Sequence, residues 1–343
     1  MPYLNFYQGF KKWLWLWVLL GVIASGGVFY VLSVFPQQTI ALTEPRLYTV
    51  AKGIGFNQLC RDLVAKQVIA RCGPLKWFTK LQPKLRDIKA GVYQIKPNIN
   101  HLQLLNVLIS GAEYQFDFTI VEGERLKDVL TKLAASPNLE FDVQDRAHLD
   151  KLLAHPYDSA EGLLYPDTYY YVAQSKASEL LLRAYQRMTD KLQQAWLNRE
   201  ADLPYDTPYK ALIMASIIEK ETARGFERPV IASVFVNRLR KNMRLQTDPT
   251  VIYGLGEQFD GDITRAHLKQ KTPYNTYRIK GLPPTPIAMA GLASIEAALN
   301  PDVTEFLYFV SKKDGTHHFS KTLAEHNRAV RYYQLGIGRL DGV

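Results

Sequence analysis

Two glutamates, Glu219 and Glu221, stand at the end of residues 211–218, a run that is apolar on nearly every side. A helix of that kind is buried in a core, so a carboxyl group at its end sits in a semi-apolar setting. Such a setting raises a carboxyl pKa toward the range of a general acid. At about 3.6 residues per turn, Glu219 shares a face with Leu212, Ala215, Ser216 and Ala223, whereas Glu221 shares one with Met214, Ile217, Ile218 and Arg224. The first face is mostly small side chains, which leave space in front of a carboxylate for a bulky substrate. The second supplies Arg224 as a structural partner for Glu221. Glu219 is therefore the expected acid, and the competing reading is a solvated helix end.

Other reaction classes find little support. His317, His318 and His326 lack an HExxH arrangement, and neighbouring residues of a strand point to opposite faces. No metal and no cofactor is expected. No GxSxG segment marks a nucleophilic serine. Cys60 and Cys72 are too few for a thiolate zinc site, and their spacing leaves both a disulfide and a pair of buried thiols open.

The elements that must position this chemistry follow from patterning. Of 343 residues, 47% are hydrophobic and 22% charged, which excludes a disordered tail, a collagen-like chain or a disulfide-packed miniprotein. Residues 13–35 carry no charge, and at about 1.5 Å per residue such a helix crosses the roughly 30 Å hydrocarbon core. A cleaved signal peptide is the rival, but its apolar stretch covers only about 7 to 15 residues. Lys11 and Lys12 directly before the span place residues 1–12 in the cytoplasm and the remainder outside it, in the inner membrane of a single-pass protein. The net charge of +9 would suit nucleic acid, anionic lipid or an acidic polymer, and export removes nucleic acid as a partner.

Residues 47–53 read as a strand, followed by a helix through Phe56, Leu59, Cys60 and Leu63. The same pattern returns at residues 118–123 and Leu126, Val129, Leu130 and Leu133. Residues 90–95 add a strand and 101–109 a helix, giving a small βααβ-like domain over residues 36–111. This part resembles a LysM-like, glycan-binding module. Residues 112–343 form a second, mixed domain in which a sheet and Pro-rich loops are expected to cover the Glu219 helix. A hairpin is expected from residues 306–310 and 317–320, and a last helix over 323–333. The fold class is α+β with one transmembrane helix.

Five blocks in order carry a specific resemblance: residues 215–222 (ASIIEKET), 233–238 (SVFVNR), 244–254 (RLQTDPTVIYG), 274–277 (YNTY) and 281–287 (GLPPTPI). Together they resemble the endolytic murein transglycosylases of the YceG-like, or MltG-type, family. The resemblance implies cleavage of the β-1,4 bond between N-acetylmuramic acid and N-acetylglucosamine of peptidoglycan without water, leaving a 1,6-anhydro end and terminating nascent strands. It implies the first glutamate of the Glu-Lys-Glu run, Glu219, as the catalytic group, and peptidoglycan synthases as partners. Ordinary glycosidases use two carboxyl groups, whereas a lytic enzyme can use one as acid and then as base. Asn237, Gln246, Asp248, Tyr253, Tyr274, Asn275 and Tyr277 are the amide, carboxylate and aromatic groups expected around the sugars. Asp248 equally suits a turn or a helix cap; as a second catalytic carboxylate it would make the enzyme a hydrolase. The reading from another class is a non-catalytic, membrane-anchored glycan-binding module that recruits cell-wall synthases.

Overall fold

The structure, a computed structural model, describes residues 3–337, with side chains described from Lys11 onward. Helix α1 (Tyr3–Phe29) continues through a π-helical turn (Tyr30–Val34) and a 3-10 turn (Phe35–Gln37). Helix therefore already runs through most of the expected tail. The stretch Lys11–Gln37 has a mean hydropathy of 2.2 and is the one helix among the described residues long and apolar enough to cross a membrane.

The chain divides into two compact units, Met1–Phe116 and Asp117–Val343. In the first, β1 (Arg46–Val50) pairs antiparallel with β2 (Gly91–Ile95), with Tyr48 opposite Tyr93. Helices α2 (Phe56–Ala65) and α3 (Gly73–Leu81) lie between the strands in sequence, and α4 (His101–Ser110) follows. The order is β-α-α-β with one further helix. Helix α3 was not announced by the apolar spacing; it is short and carries Pro74 in its first turn, a position that suits proline. Helix α4 starts on a capping box between Asn100 and Gln103 and stops at Gly111, whose φ of 71° is left-handed. Tyr48, Leu59, Leu63, Leu75, Phe78, Tyr93 and Leu104 form the core, and Phe35, the end of the apolar span, is buried in it. Cys60 and Cys72 form a disulfide that joins α2 to the residue preceding α3.

The second unit is mainly helical. Strand β3 (Phe116–Thr119) pairs with β4 (Thr168–Tyr171), and β5 (Tyr308–Ser311) forms the expected antiparallel hairpin with β6 (His317–Ser320). Its helices are α5 (Leu126–Ala134), α6 (Arg146–Leu153), α7 (Ala177–Leu197), α8 (Pro208–Glu221), α9 (Arg228–Arg240), α10 (Asp248–Leu255), α11 (Arg265–Lys269), α12 (Leu292–Leu299) and α13 (Leu323–Leu335). The strand, turn and helix of β1–α2 recur in β3–α5, with Gly53 and Gly123 taking the same left-handed φ of 76° and 80° in the turn.

Helix α8 carries the glutamate pair, and every residue from Ala211 to Ile218 is buried. Thr207 caps its start by accepting from the Lys210 amide, with Pro208 in the first turn. The expectation that a sheet covers this helix is wrong: α8 packs on α12, α9, α7 and α10. Among the described residues all three sheets have two strands, too few to cover a helix of 14 residues. The Pro-rich loop does reach it, since the Ile287 amide donates to Ser216 Oγ at 3.0 Å. Ala223 lies beyond the end of α8 and is exposed, so it does not extend the small-residue face.

Candidate active site

Glu221 is the last residue of α8 and lines a cavity of about 410 Å³. Five other parts of the chain contribute to the walls: Arg238 from α9, residues 246–248 leading into α10, Tyr277 from the coil after α11, Tyr308 from β5 and His326 from α13. Gln246 has a left-handed φ of 52°, and its amide is held by the Thr276 carbonyl at 3.3 Å. This bend leaves Gln246 and Asp248 exposed while Thr247 turns inward and is buried. The Thr247 hydroxyl donates to Glu221 Oε1, and its amide donates to Thr276 Oγ1 at 3.0 Å.

Burial pushes the Glu221 carboxyl up to about 7; the Thr247 hydrogen bond opposes that rise, the Asp248 charge adds to it and the Arg238 charge restrains it. Arg238 is itself buried, donating to the carbonyls of Leu307 at 2.6 Å and Leu245 at 2.7 Å, with its guanidinium 5.1 Å from the Tyr308 ring centroid. Those partners are neutral, so its charge is left to the cavity. Tyr277 donates to Asp248 Oδ1 at 2.7 Å, and burial raises its pKa, so it stays a neutral phenol.

Glu219 sits elsewhere. Its Oε1 accepts from Arg228 Nη2 at 3.0 Å and its Oε2 from the Gly291 amide at 3.0 Å, and its side chain is only 5% exposed. Gly291 precedes α12, so Glu219 receives a free amide at a helix start. Arg228 also lies 3.8 Å from Glu122, whose pKa is raised by burial and by the charge of Glu219. Gly291 has no side chain for a packing reason: a Cβ there would collide with the Glu122 carboxylate. The cluster ties α8, the start of α9, the start of α12 and Glu122 together, and does not line the cavity.

The other expected site residues divide in the same way. Gln246, Asp248 and Tyr277 line the cavity with Glu221. Asn237 does not; its amide donates to the carbonyls of Thr304 and Phe306 at 2.9 and 3.1 Å, fixing the approach to β5. Asn275 is buried, and its amide satisfies the His267, Leu268 and Gln270 carbonyls. Tyr253 donates to buried Glu161 at 3.0 Å and packs 4.8 Å from Tyr274, which bonds Thr285 at 2.9 Å. Tyr253 lines a separate cavity of about 390 Å³ with Lys220 and Phe259. The pairing expected between Glu221 and Arg224 is not made, because Arg224 reaches the carbonyls of Asp314 and Gly315 at 3.4 Å. Arg238, Thr247, Tyr308 and His326 were not expected at the site, and only their place in the fold reveals them.

Such an arrangement can give and take a proton: a carboxyl group held near neutrality at a cavity wall, beside an amide, a phenol and a cation. The YceG-like family profile matches residues 48–332. An endolytic murein transglycosylase of Bacillus subtilis is 32% identical over 306 residues, covering 83% of each chain. One from Streptococcus pneumoniae is 26% identical over 91% of this chain and 63% of its own length. The crystal structure of a YceG-like protein from Listeria monocytogenes superposes with a TM-score of 0.53 at 31% identity, covering 83% of this chain and 99% of the other. The chain belongs to the YceG-like family.

Proposed function

We propose that this protein is a membrane-anchored lytic transglycosylase that cleaves peptidoglycan strands internally, at the β-1,4 bond between N-acetylmuramic acid and N-acetylglucosamine. The observation that carries the reading is Glu221, a single carboxyl group raised to about 7 in a cleft with Gln246, Asp248 and Tyr277. The names of the relatives support the substrate.

In this mechanism Glu221, and not Glu219, is the catalytic residue. Glu219 has both oxygens occupied by protein donors, whereas Glu221 has the Thr247 hydroxyl on Oε1 and lines the cavity. Protonated Glu221 gives its proton to the glycosidic oxygen as the bond to the muramic acid C1 breaks, releasing the N-acetylglucosamine hydroxyl. The resulting carboxylate takes the proton of the muramic acid C6 hydroxyl while that oxygen bonds to C1. The 1,6-anhydro ring closes, Glu221 is protonated again, and no water is consumed. Arg238 and Tyr308 supply a cation and a ring to the cavity wall, and Tyr277, Asp248 and Gln246 the polar contacts to sugar hydroxyls.

Lys11 and Lys12 orient the N-terminus to the cytoplasm and the chain after the apolar span beyond the cytoplasmic membrane. The β-α-α-β order of the first unit supports a LysM-like hold on glycan, and cleavage of nascent strands beside peptidoglycan synthases would set strand length. Digestion of purified peptidoglycan in water labelled with heavy oxygen tests the chemistry: the new muramic acid ends should be 1,6-anhydro and unlabelled. Reducing, labelled ends mean hydrolysis, with Asp248 as the second carboxylate.

A further inference from the structure

Helix α3 carries a surface that neither the core nor the reaction cavity uses. Leu75, Phe78 and Thr79 face the core of the first unit. Trp77 and Leu81, four residues apart and so on one face, are 60% and 52% exposed. Lys80 lies beside them with its ammonium 5.1 Å from the Trp77 ring centroid. Residues 71–86 contain Arg71, Lys76, Lys80, Lys84 and Arg86 and no Asp or Glu. An exposed tryptophan and leucine within an uninterrupted cationic stretch is the composition of a segment that lies in a lipid headgroup layer.

Position supplies the second argument. Helix α3 packs against the π turn Tyr30–Val34 and the 3-10 turn Phe35–Gln37, which end the apolar span. Counting from Lys11, about 20 residues cross a hydrocarbon core of roughly 30 Å, which puts the far boundary near residue 31. Tyr30 is exposed at that level, where amphipathic rings gather. Helix α3 thus stands at the membrane surface beside its own anchor, and the Cys60–Cys72 disulfide holds its start to α2.

We propose that α3 docks on anionic phospholipid headgroups, with Trp77 and Leu81 entering the interface and Lys80 and Lys84 meeting lipid phosphates. This second membrane contact fixes the first unit against the bilayer instead of leaving it to swing on the anchor. The proposal rests on the reading of α1 as a membrane span.

The test uses the full chain in nanodiscs of phosphatidylcholine alone or with roughly 30% phosphatidylglycerol, a fraction chosen to give the strongly anionic surface that attracts basic segments. Hydroxyl-radical oxidation of Trp77 and hydrogen exchange across residues 73–84 are read by mass spectrometry. Trp77 oxidation should fall at least about threefold in the anionic discs, and the double variant Lys80→Glu, Lys84→Glu should return it to the phosphatidylcholine level. Both lysines are exposed, so the variant folds as the parent does. Equal oxidation in the two lipids overturns the proposal. So does protection by added peptidoglycan fragments in phosphatidylcholine discs, which assigns the surface to glycan. Failure of the chain to float with vesicles after an alkaline wash removes the anchor, and the positional argument with it.

Discussion

Glu219 and Glu221 leave the same turn of α8 on opposite sides and meet opposite surroundings. On one side, Arg228 and the Gly291 amide occupy both oxygens of Glu219, and Glu122 stands beyond the arginine. On the other, Glu221 has one hydroxyl partner and a cavity. The first arrangement joins elements; the second leaves a carboxyl group at a cavity wall with its proton bound near neutrality. Burial alone does not make a catalytic acid. What separates the two is whether the protein's own donors have already filled the acceptor positions.

The largest effect expected from breaking this contrast is structural. Arg228→Met leaves Glu219 buried without its cation and beside Glu122, and should destabilise the fold by roughly 3 to 5 kcal/mol, measured by urea denaturation. A loss below about 1 kcal/mol would class the pair with weak surface bridges.

The second effect is on pH dependence. The folded-state pKa of Glu221, about 7, lies above its ordinary value of 4.5, so the folded chain holds this proton more tightly than the unfolded chain. Its contribution to stability is complete below about pH 4.5 and is lost as the pH rises through about 7. Glu221→Gln should therefore melt higher than the parent at pH 8, by roughly 3 to 10 °C, and close to it at pH 4.5. Parent kcat/KM should decline above about pH 7 as the acid is lost.

Thr247→Val removes the one hydrogen bond that lowers the Glu221 pKa while preserving shape. Turnover should fall about tenfold, and the alkaline limb of the pH profile should move to higher pH, a shift that a merely looser site would not produce. Smallest is Tyr253→Phe. It deprives buried Glu161 of one donor but leaves the Leu126 amide, so stability should drop by about 1 kcal/mol with KM for glycan unchanged. A large rise in KM would return Tyr253 to the sugar site.

Local patterning made much of the frame readable. The apolar span, the hairpin of β5 and β6 and the last helix α13 all follow from hydropathy and turn residues. The glutamate pair was visible as chemistry, but the surroundings that set its two members apart were not. A helical wheel offers Glu221 the nearby Arg224, whereas the decisive partners are Arg228 for one glutamate and Gly291 and Thr247, 72 and 26 residues away from the glutamates they bind. Asn237 and Asn275 have side chains suited to sugar, yet each is spent on backbone carbonyls of a neighbouring loop. Arg238 stood in one of the five blocks without a role, because its role depends on the chain at Leu307, just before β5, reaching back over α9.

The most direct test compares Glu221→Gln with Glu219→Gln on purified peptidoglycan, with turnover counted per folded molecule. Both variants keep side-chain shape and remove a proton-carrying group. Glu221→Gln should lose at least the roughly 10² to 10⁴ typical of a missing acid–base catalyst while remaining folded. Glu219→Gln should lose stability through its weakened hold on Arg228 and keep turnover within about tenfold of the parent, since no proton transfer passes through it. A folded Glu219→Gln protein without activity, beside an active Glu221→Gln, would contradict the account and return the chemistry to Glu219.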